Sequence, residues 1–443
     1  MTVTFSPAKF AGEIIPPPSK CYTHRAMICA ALAKGKSRIS NIIFSDDMNA
    51  TIDALRTIGA KIETSDGYCD ITGIGDMETL PQNVNINCRE SGSTLRFMMP
   101  VCAALGINAA FTGHGKLPSR PLDPYFSAMG PKGVNFNFNG KIPSISGRLN
   151  RGDFILTGDV SSQFFTGLFF ALPLVSGGST VEVTGNLESL PYLEITRDTL
   201  RAFGIEIYKD NPVGANSTAR WIIPGNKKYE KCDYNVERDF SSAAFFAVAG
   251  AVSADNGDGI KIMGMNKNSI QGDKAVFDII SECGARVSFS AGTDPHESRY
   301  IVKPPSDGKL KPFNVNASDI PDLVPILAVL ASFCEGTSLI TGAKRLKIKE
   351  SDRLSAISDV INNLGGEVIP NEDGLLIRGA AKLKGGRCDS HNDHRIAMSA
   401  AIMAAGCEAP SELFGAQAVR KSYPDFFKDY KKLGGTCYAD LGF

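Results

Sequence analysis

The chain has 443 residues, 43% of them hydrophobic, more than one ordinary core holds and a fit for two domains of about 200 residues each. Lysine plus arginine and aspartate plus glutamate both number 47, so no global field draws the chain to nucleic acid or an anionic membrane, and any preference for anions must be local. Eleven cysteines without a C-x-x-C pair, most within apolar helix patterns, read as buried free thiols rather than disulfides or metal ligands.

The N-terminal segment lacks an apolar run of signal-peptide type, and the longest apolar stretch, around Phe164 to Val175, is too short to span a bilayer, so a soluble cytoplasmic protein is expected. Pro16-Pro17-Pro18 stops an opening extended segment and sets up a helix from Lys20, with Met27, Ile28, Ala31 and Leu32 at helical spacing. The same pattern, a polar turn opening into an Ala-rich apolar helix, recurs at roughly seventy to eighty residues, near Ser91, Ser161, Ser241, Asp322 and His391. A β-branched stretch usually follows, and then a second helix closes on a glycine: Gly59, Gly130, Gly204, Gly284, Gly365 and Gly434. These are six α/β units, most simply three to a domain. The polar stretch from Lys227 to Asn235 is a second candidate boundary; if it and the proline segment are both hinges, the first twenty residues belong with the second half. Segments 209–218 and 291–309, rich in Gly, Pro, Asn and Asp, read as surface loops.

A helix start presents free N–H groups and a partial positive charge, so several starts carrying cations and hydroxyls can build one anion site. Lys20 and Arg25 lie at the first turns of the first helix, where the dipole opposes them; taken alone, both could simply be solvated. Gly92 in Glu90-Ser91-Gly92-Ser93-Thr94-Leu95-Arg96 lets a ligand approach backbone N–H groups, although Gly-Ser-Thr is also an ordinary cap. Ser161, Ser162 and Gln163 offer two hydroxyls and an amide, which suits a phosphate or a polyol; the similar Ser241-Ser242 turn reads as a cap. In Lys349-Glu350-Ser351-Asp352-Arg353 the two cations are expected four apart on one helical face with Glu350 beside them, and a carboxylate among cations can exchange protons with a bound substrate. Asp322, after a proline, could equally be a charge complement to its helix. His391 and His394 have an H-x-x-H spacing, but no third ligand follows and Arg395 would repel a metal cation. With Arg120 and Lys421, the cations fall at unit junctions and predict a cationic cleft for a small substrate bearing at least two anionic groups. No G-x-x-x-x-G-K-[ST] or G-x-G-x-x-G segment is present, which disfavours nucleotide hydrolysis and dinucleotide redox chemistry.

P-x-S-K-x-x-T-x-R at the start, S-G-S-T-x-R, R-P-L near 120, S-S-Q-F, P-Y-x-x-I-T-x-x-x-L, I-P-D, K-E-S-D-R, N-D-H-R-x-A-M and K-S-Y-P-D-F follow one another along nearly the whole chain. Together they resemble the 5-enolpyruvylshikimate-3-phosphate synthase family. That resemblance implies a two-domain inside-out α/β barrel of six βαβαββ repeats, three per domain. The first domain would span 20–232 and chiefly hold shikimate 3-phosphate; the second, 1–19 with 233–443, would chiefly hold phosphoenolpyruvate, with hinges near 19–20 and 230–240. It implies transfer of the enolpyruvyl group to the 5-hydroxyl of shikimate 3-phosphate with release of phosphate, a step toward chorismate and the aromatic amino acids. No cofactor and no metal are implied, nor a nucleic-acid or membrane partner, and a monomer is expected.

Residue by residue, the resemblance assigns phosphoenolpyruvate to Lys20, Gly92, Arg120, Gln163, Arg353, Arg395 and Lys421. It assigns shikimate 3-phosphate to Lys20, Cys21, Arg25, Ser161, Ser162, Gln163, Ser189, Tyr192, Asp322 and Lys349. Asp322 would take the proton of the attacking hydroxyl; Glu350, assisted by Lys20 or Lys421, would move a proton at the methylene carbon, and His394 would orient the cleft. Cys21 stands where Ser is common, Glu90 where Asn is common, and Arg345 where one branch uses Asn. A sister enzyme that acts on UDP-N-acetylglucosamine places a cysteine in the loop before an Arg-Pro pair, and here 113–119 has none. A non-catalytic anion binder is the other alternative; two carboxylates among the cations count against it.

Overall fold

The computed structural model describes residues 1–138, 140–214, 216–253, 257–379 and 382–440. The chain divides into two compact units, Pro18–Glu237 and the discontinuous Met1–Pro17 with Arg238–Phe443.

The 18–237 unit contains α1 (Lys20–Leu32), α2 (Asp46–Thr57), α3 (Gly92–Leu105), α4 (Asp123–Met129), α5 (Ser162–Ala171) and α6 (Leu190–Ala202). The first, third and fifth are buried on nearly every side, as their Ala, Met, Phe and Leu content demands, since a helix apolar all round has no face to give to water. Helices α2 and α6 are amphipathic and cover them. Among the described residues three four-stranded sheets and a two-stranded parallel pair, Ala33–Lys34 with Tyr229–Glu230, complete the unit. In one, Asn83–Asn87 lies parallel to Asn108–Thr112 across α3, and Val134–Asn137 and Ser144–Gly147 return antiparallel, the last strand pairing inside the third. Burial alternates along the strands, buried at Val84 and Ile86 and exposed at Asn83, Asn85 and Asn87, so each sheet turns one face inward and one to water.

The discontinuous unit repeats this plan with α7 (Phe240–Val252), α8 (Val276–Glu282), α9 (Val324–Ser332), α10 (Arg353–Asn363), α11 (His394–Ala405) and α12 (Phe426–Lys432). Helices α7, α9 and α11 pack on one another and are buried almost throughout. The strand Thr2–Ser6 lies between Ser411–Phe414 and Thr436–Asp440, and Gly12–Ile14 pairs in parallel with Ile260–Met263. The whole 18–237 unit is thus inserted between the strand Gly12–Ile14 and α7. Six βαβαββ repeats, three per unit, are present as expected, and each unit has its own apolar core.

Five of the six expected glycine stops, Gly59, Gly204, Gly284, Gly365 and Gly434, adopt the positive φ that ends a helix. At the fourth helix the chain instead runs through a 3-10 turn, Gly130–Lys132, and the left-handed residue is Gly133 (φ 93°). Segments expected to be loops carry strands: Tyr208–Asp210 and Ser217–Ile223 flank 211–216, of which residue 215 lies outside the described residues, and Arg299–Lys303 falls within 291–309. Their polar residues lie on outward faces of edge pairings, a pattern that composition alone reads as loop. All eleven cysteines are free, nine of them buried. Among the described residues no helix is long and apolar enough to cross a membrane.

Candidate active site

In the 18–237 unit the chemistry gathers at helix starts. Lys20 opens α1, where its charge opposes the dipole, and its Nζ is held 2.9 Å from Oδ2 of Asp47 in the first turn of α2. One turn on, the buried Arg25 donates from Nε to Thr196 Oγ1 (2.8 Å) and from its terminal nitrogens to the Cys21 carbonyl (2.8 Å), the Tyr192 carbonyl (3.1 Å) and Thr166 Oγ1 (3.4 Å). These acceptors are all neutral, so burial pushes the guanidinium pKa down and the side chain is primed for an anion.

Helices α3 and α5 bring Gly92, Arg120 and Gln163 together. A Cβ on Gly92 would come within 2.6 Å of the Arg120 guanidinium and 3.6 Å of Gln163 Oε1, so any larger residue there would displace the Arg120 guanidinium. Gln163 is fixed from both ends, accepting at Oε1 from Arg96 (2.8 Å) and donating from Nε2 to Ser93 Oγ (2.9 Å), while Arg96 stacks over the Phe164 ring. Ser161 caps α5 by accepting from the Gln163 N–H (3.3 Å), and Ser162 is buried beside it. Ser189 stands before α6 in the left-handed region (φ 61°, ψ 37°), a conformation that costs a serine about 1 kcal/mol and is typical of functional positions. Cys21 is half-buried, and its carbonyl accepts from Arg25.

In the discontinuous unit one guanidinium organises the site. The buried Arg353 donates from Nε to Asp393 Oδ2 (2.8 Å), from one terminal nitrogen to Asp322 Oδ1 (2.9 Å) and from the other to Glu350 Oε2 (2.7 Å). Arg395 binds Asp322 at Oδ2 (2.7 Å) and at its carbonyl (3.2 Å). Asp393 also caps α11, accepting from the Arg395 N–H (2.9 Å), and takes the Ser351 hydroxyl (3.2 Å). His391 and Asn392, both left-handed (φ 51° and 56°), aim the Asn392 carbonyl at Lys421 Nζ, 2.6 Å away. Lys349 and Glu350 do not share a helix with Arg353, contrary to the spacing argument: α10 begins at Arg353, and Lys349 is extended (φ −88°, ψ −151°) after a 3-10 turn. The Asp352 carboxylate caps α10 by accepting from the Ser355 N–H (3.2 Å), and this is what starts the helix there. Likewise the cap of α7 is Asp239, not the two serines, which donate their hydroxyls to Asp273 and Asp239.

Burial alone would raise the Asp322 pKa, but Arg395, Arg353 and Lys349 hold it well below the usual carboxylate range. Burial pulls the Lys349 ammonium down to about 7, aided by Arg345 and Arg353 and opposed by Asp322 and Glu350. Burial and the nearby Asp322 push the Asp273 carboxyl up to about 7. Asp47, Arg96, Asp273 and Asp393 were not singled out from the sequence. Arg96 and Asp393 lay inside quoted motifs, whereas nothing local marks Asp47 or Asp273, whose partners are brought by packing. Among the described residues no three His, Cys, Asp or Glu side chains gather as a metal site.

Three serine-rich and three aspartate-rich helix starts, with buried arginines among them, define an enzyme scaffold that handles small polyanions. The model of the family described as "EPSP synthase (3-phosphoshikimate 1-carboxyvinyltransferase)" matches residues 5–430. The 3-phosphoshikimate 1-carboxyvinyltransferase of Clostridium kluyveri is 43% identical over 435 residues, covering 98% of this chain and 97% of the relative. That of Clostridium novyi is 42% identical over 444 residues, covering 97% and 96%. Among solved structures, an EPSP synthase from Acinetobacter baumannii superimposes with a TM-score of 0.79 at 25% identity, over 99% of this chain and 100% of that one. An enolpyruvyl transferase from Streptomyces tendae shares the fold, at TM-score 0.77 and 17% identity over 99% and 98%. The chain belongs to the EPSP synthase family.

Proposed function

We propose that this chain carries out the family reaction with the residues described above. It transfers the enolpyruvyl group of phosphoenolpyruvate to the 5-hydroxyl of shikimate 3-phosphate and releases phosphate, through addition followed by elimination. The observation that carries the residue assignment is the network in which Asp322 and Glu350 share Arg353, because it joins two carboxylates to the cations an anionic substrate needs.

Arg25, Ser161, Ser162, Gln163, Ser189, Tyr192, Cys21 and Lys20, with Asp322 and Lys349, are the residues assigned to shikimate 3-phosphate. Gly92, Arg120, Gln163 and Lys20, with Arg353, Arg395 and Lys421, receive phosphoenolpyruvate. In the free protein Asp322 is a weak base because two guanidiniums stabilise its charge. A carboxylate or phosphate drawn to Arg353 and Arg395 shares that stabilisation, so substrate binding raises the basicity of Asp322 when the 5-hydroxyl must lose its proton. The hydroxyl oxygen then bonds to C2 of phosphoenolpyruvate as the methylene carbon gains a proton from the acid formed by Glu350 with Lys20 or Lys421. The tetrahedral ketal collapses in reverse order: the C2–O bond to phosphate breaks, the methyl group returns a proton, and Arg120, Arg353 and Lys421 stabilise the leaving dianion. The reading takes the chain as a monomer of the cytoplasm, and its balanced charge favours small substrates over nucleic acid.

Phosphate release tests it. Release is expected only when both substrates are present; release from phosphoenolpyruvate with UDP-N-acetylglucosamine, or none with either acceptor, would overturn the reading.

A further inference from the structure

His24 takes no part in that mechanism, yet it is buried at 1% exposure between Lys20 and Arg25 on α1. Its Nδ1 lies 2.8 Å from Thr51 Oγ1 on α2, which lies 2.8 Å from Thr94 Oγ1 on α3, which donates across 2.8 Å to Ser91 Oγ, the cap of α3. A hydroxyl has one proton to give. Because Thr94 gives its proton to Ser91, the bond between the threonines must be donated by Thr51. Thr51 then has only lone pairs to offer the imidazole, so the proton between them belongs to Nδ1. The other ring nitrogen, Nε2, is buried without a hydrogen-bond partner. The ring edge also meets Phe97 of α3 at 6.3 Å between centroids, which fixes its plane.

We infer that His24 is a positioning residue: held as its Nδ1–H tautomer, it runs a one-way chain of hydrogen bonds through Thr51 and Thr94 that fixes the Ser91 hydroxyl and so sets the start of α3, where Gly92 lies, against α1. Ser91 Oγ accepts both the hydroxyl and the N–H of Thr94 (2.8 and 3.2 Å), so its own proton is directed away from the helix. Burial, with Lys20 and Arg25 adding repulsion, keeps the imidazole neutral well below its ordinary titration range. A charged ring would need a second acceptor at Nε2 and would reverse nothing else in the chain, so the tautomer persists as pH changes. The relay joins α1, α2 and α3 through buried hydroxyls where valine or alanine of like shape would pack as well, and directed buried hydrogen bonds of this kind specify one arrangement of the elements they join, with Nε2 alone left unpaired.

The test uses the whole chain with nitrogen-15 histidine, of which there are five. Long-range proton–nitrogen correlation is expected to give one ring in the Nδ1–H pattern, unchanged from pH 5.5 to 8.5, and lost in His24→Asn. An Nε2–H pattern, or titration near 6.5, in the one ring that His24→Asn removes would overturn the inference whether or not the chain has the proposed activity. The kinetic arm rests on the proposed reaction. His24→Phe fills the space without a donor, and Thr51→Val breaks the chain without touching α1; each is expected to raise KM for phosphoenolpyruvate at least fivefold with kcat within twofold. His24→Asn, whose amide nitrogen falls near Nδ1, is expected to keep KM within twofold. Equal KM in all three variants, or a fall in kcat without a change in KM, would overturn the positioning role.

Discussion

Arg353 shows how much one side chain decides here. It meets three carboxylates, Asp322, Glu350 and Asp393, from a buried position, and removing it would strand them without their shared cation. Arg353→Met is therefore expected to cost about 3–5 kcal/mol of stability, read from the urea midpoint, in addition to activity. Asp322→Asn and Glu350→Gln keep shape and remove proton transfer, so each should lower kcat by about a hundredfold or more while shikimate 3-phosphate still binds in calorimetry; near-normal turnover in both would remove their roles. Lys349 adds a pH dependence. Its ammonium titrates near 7 in the free protein, so a bound anion is favoured below that pH, and affinity for shikimate 3-phosphate should weaken as pH rises through 7. Lys349→Met should flatten that profile. Asp273 acts on stability instead: its folded pKa, about 7, lies above the unfolded value, so its contribution is present at low pH and is lost between about pH 4 and 7. Asp273→Asn should remove that loss, measured as urea midpoints across the range.

At the scale of elements the two units differ in how their buried helices begin. Helices α1, α3 and α5 start after Ser19, Ser91 and Ser161, whereas Asp239 and Asp393 cap α7 and α11 and Asp322 precedes α9. Hydroxyl starts leave the helix dipole uncompensated and receptive to anions; carboxylate starts supply charge that can hold arginines or accept protons. These starts were legible in the sequence because a helix must open on polar residues and close on glycine, and both leave local marks. The pairing of Lys20 with Asp47, and the reach of Arg353 to Asp322 and Asp393, were not legible, since each depends on two helices meeting side by side. The helix predicted through Lys349 failed for a related reason: Asp352 is a cap, and a charged pentapeptide reads alike as helix face or as turn. Packing makes its own prediction. A Cβ on Gly167 of α5 would run into the Tyr125 hydroxyl and the Arg96 carbonyl of α3, so Gly167→Ala should cost about 1–3 kcal/mol and, by moving Gln163 away from Arg96, raise KM for phosphoenolpyruvate.

For the molecule as a whole, the two apolar cores share no residue: one is built from positions 22 to 236, the other from 3 to 14 and 240 to 437. The single tryptophan, Trp221, is buried in the first. Its fluorescence should therefore follow the 18–237 unit alone, and Arg353→Met should shift the far-UV circular dichroism transition in urea while leaving the tryptophan transition in place. One coincident shift in both signals would mean that the units unfold together.

Among the described residues the strand Thr2–Ser6 pairs with Ser411–Phe414 and Thr436–Asp440, both about four hundred residues away. On the ribosome it emerges ahead of both partners and must wait, bare along both edges, while the inserted unit is translated and can already close its own core. Every stalled or shortened nascent chain consequently displays an unmatched strand with Val3 and Phe5 on one side, an invitation to sticking that chaperones would have to cover until the last strand arrives.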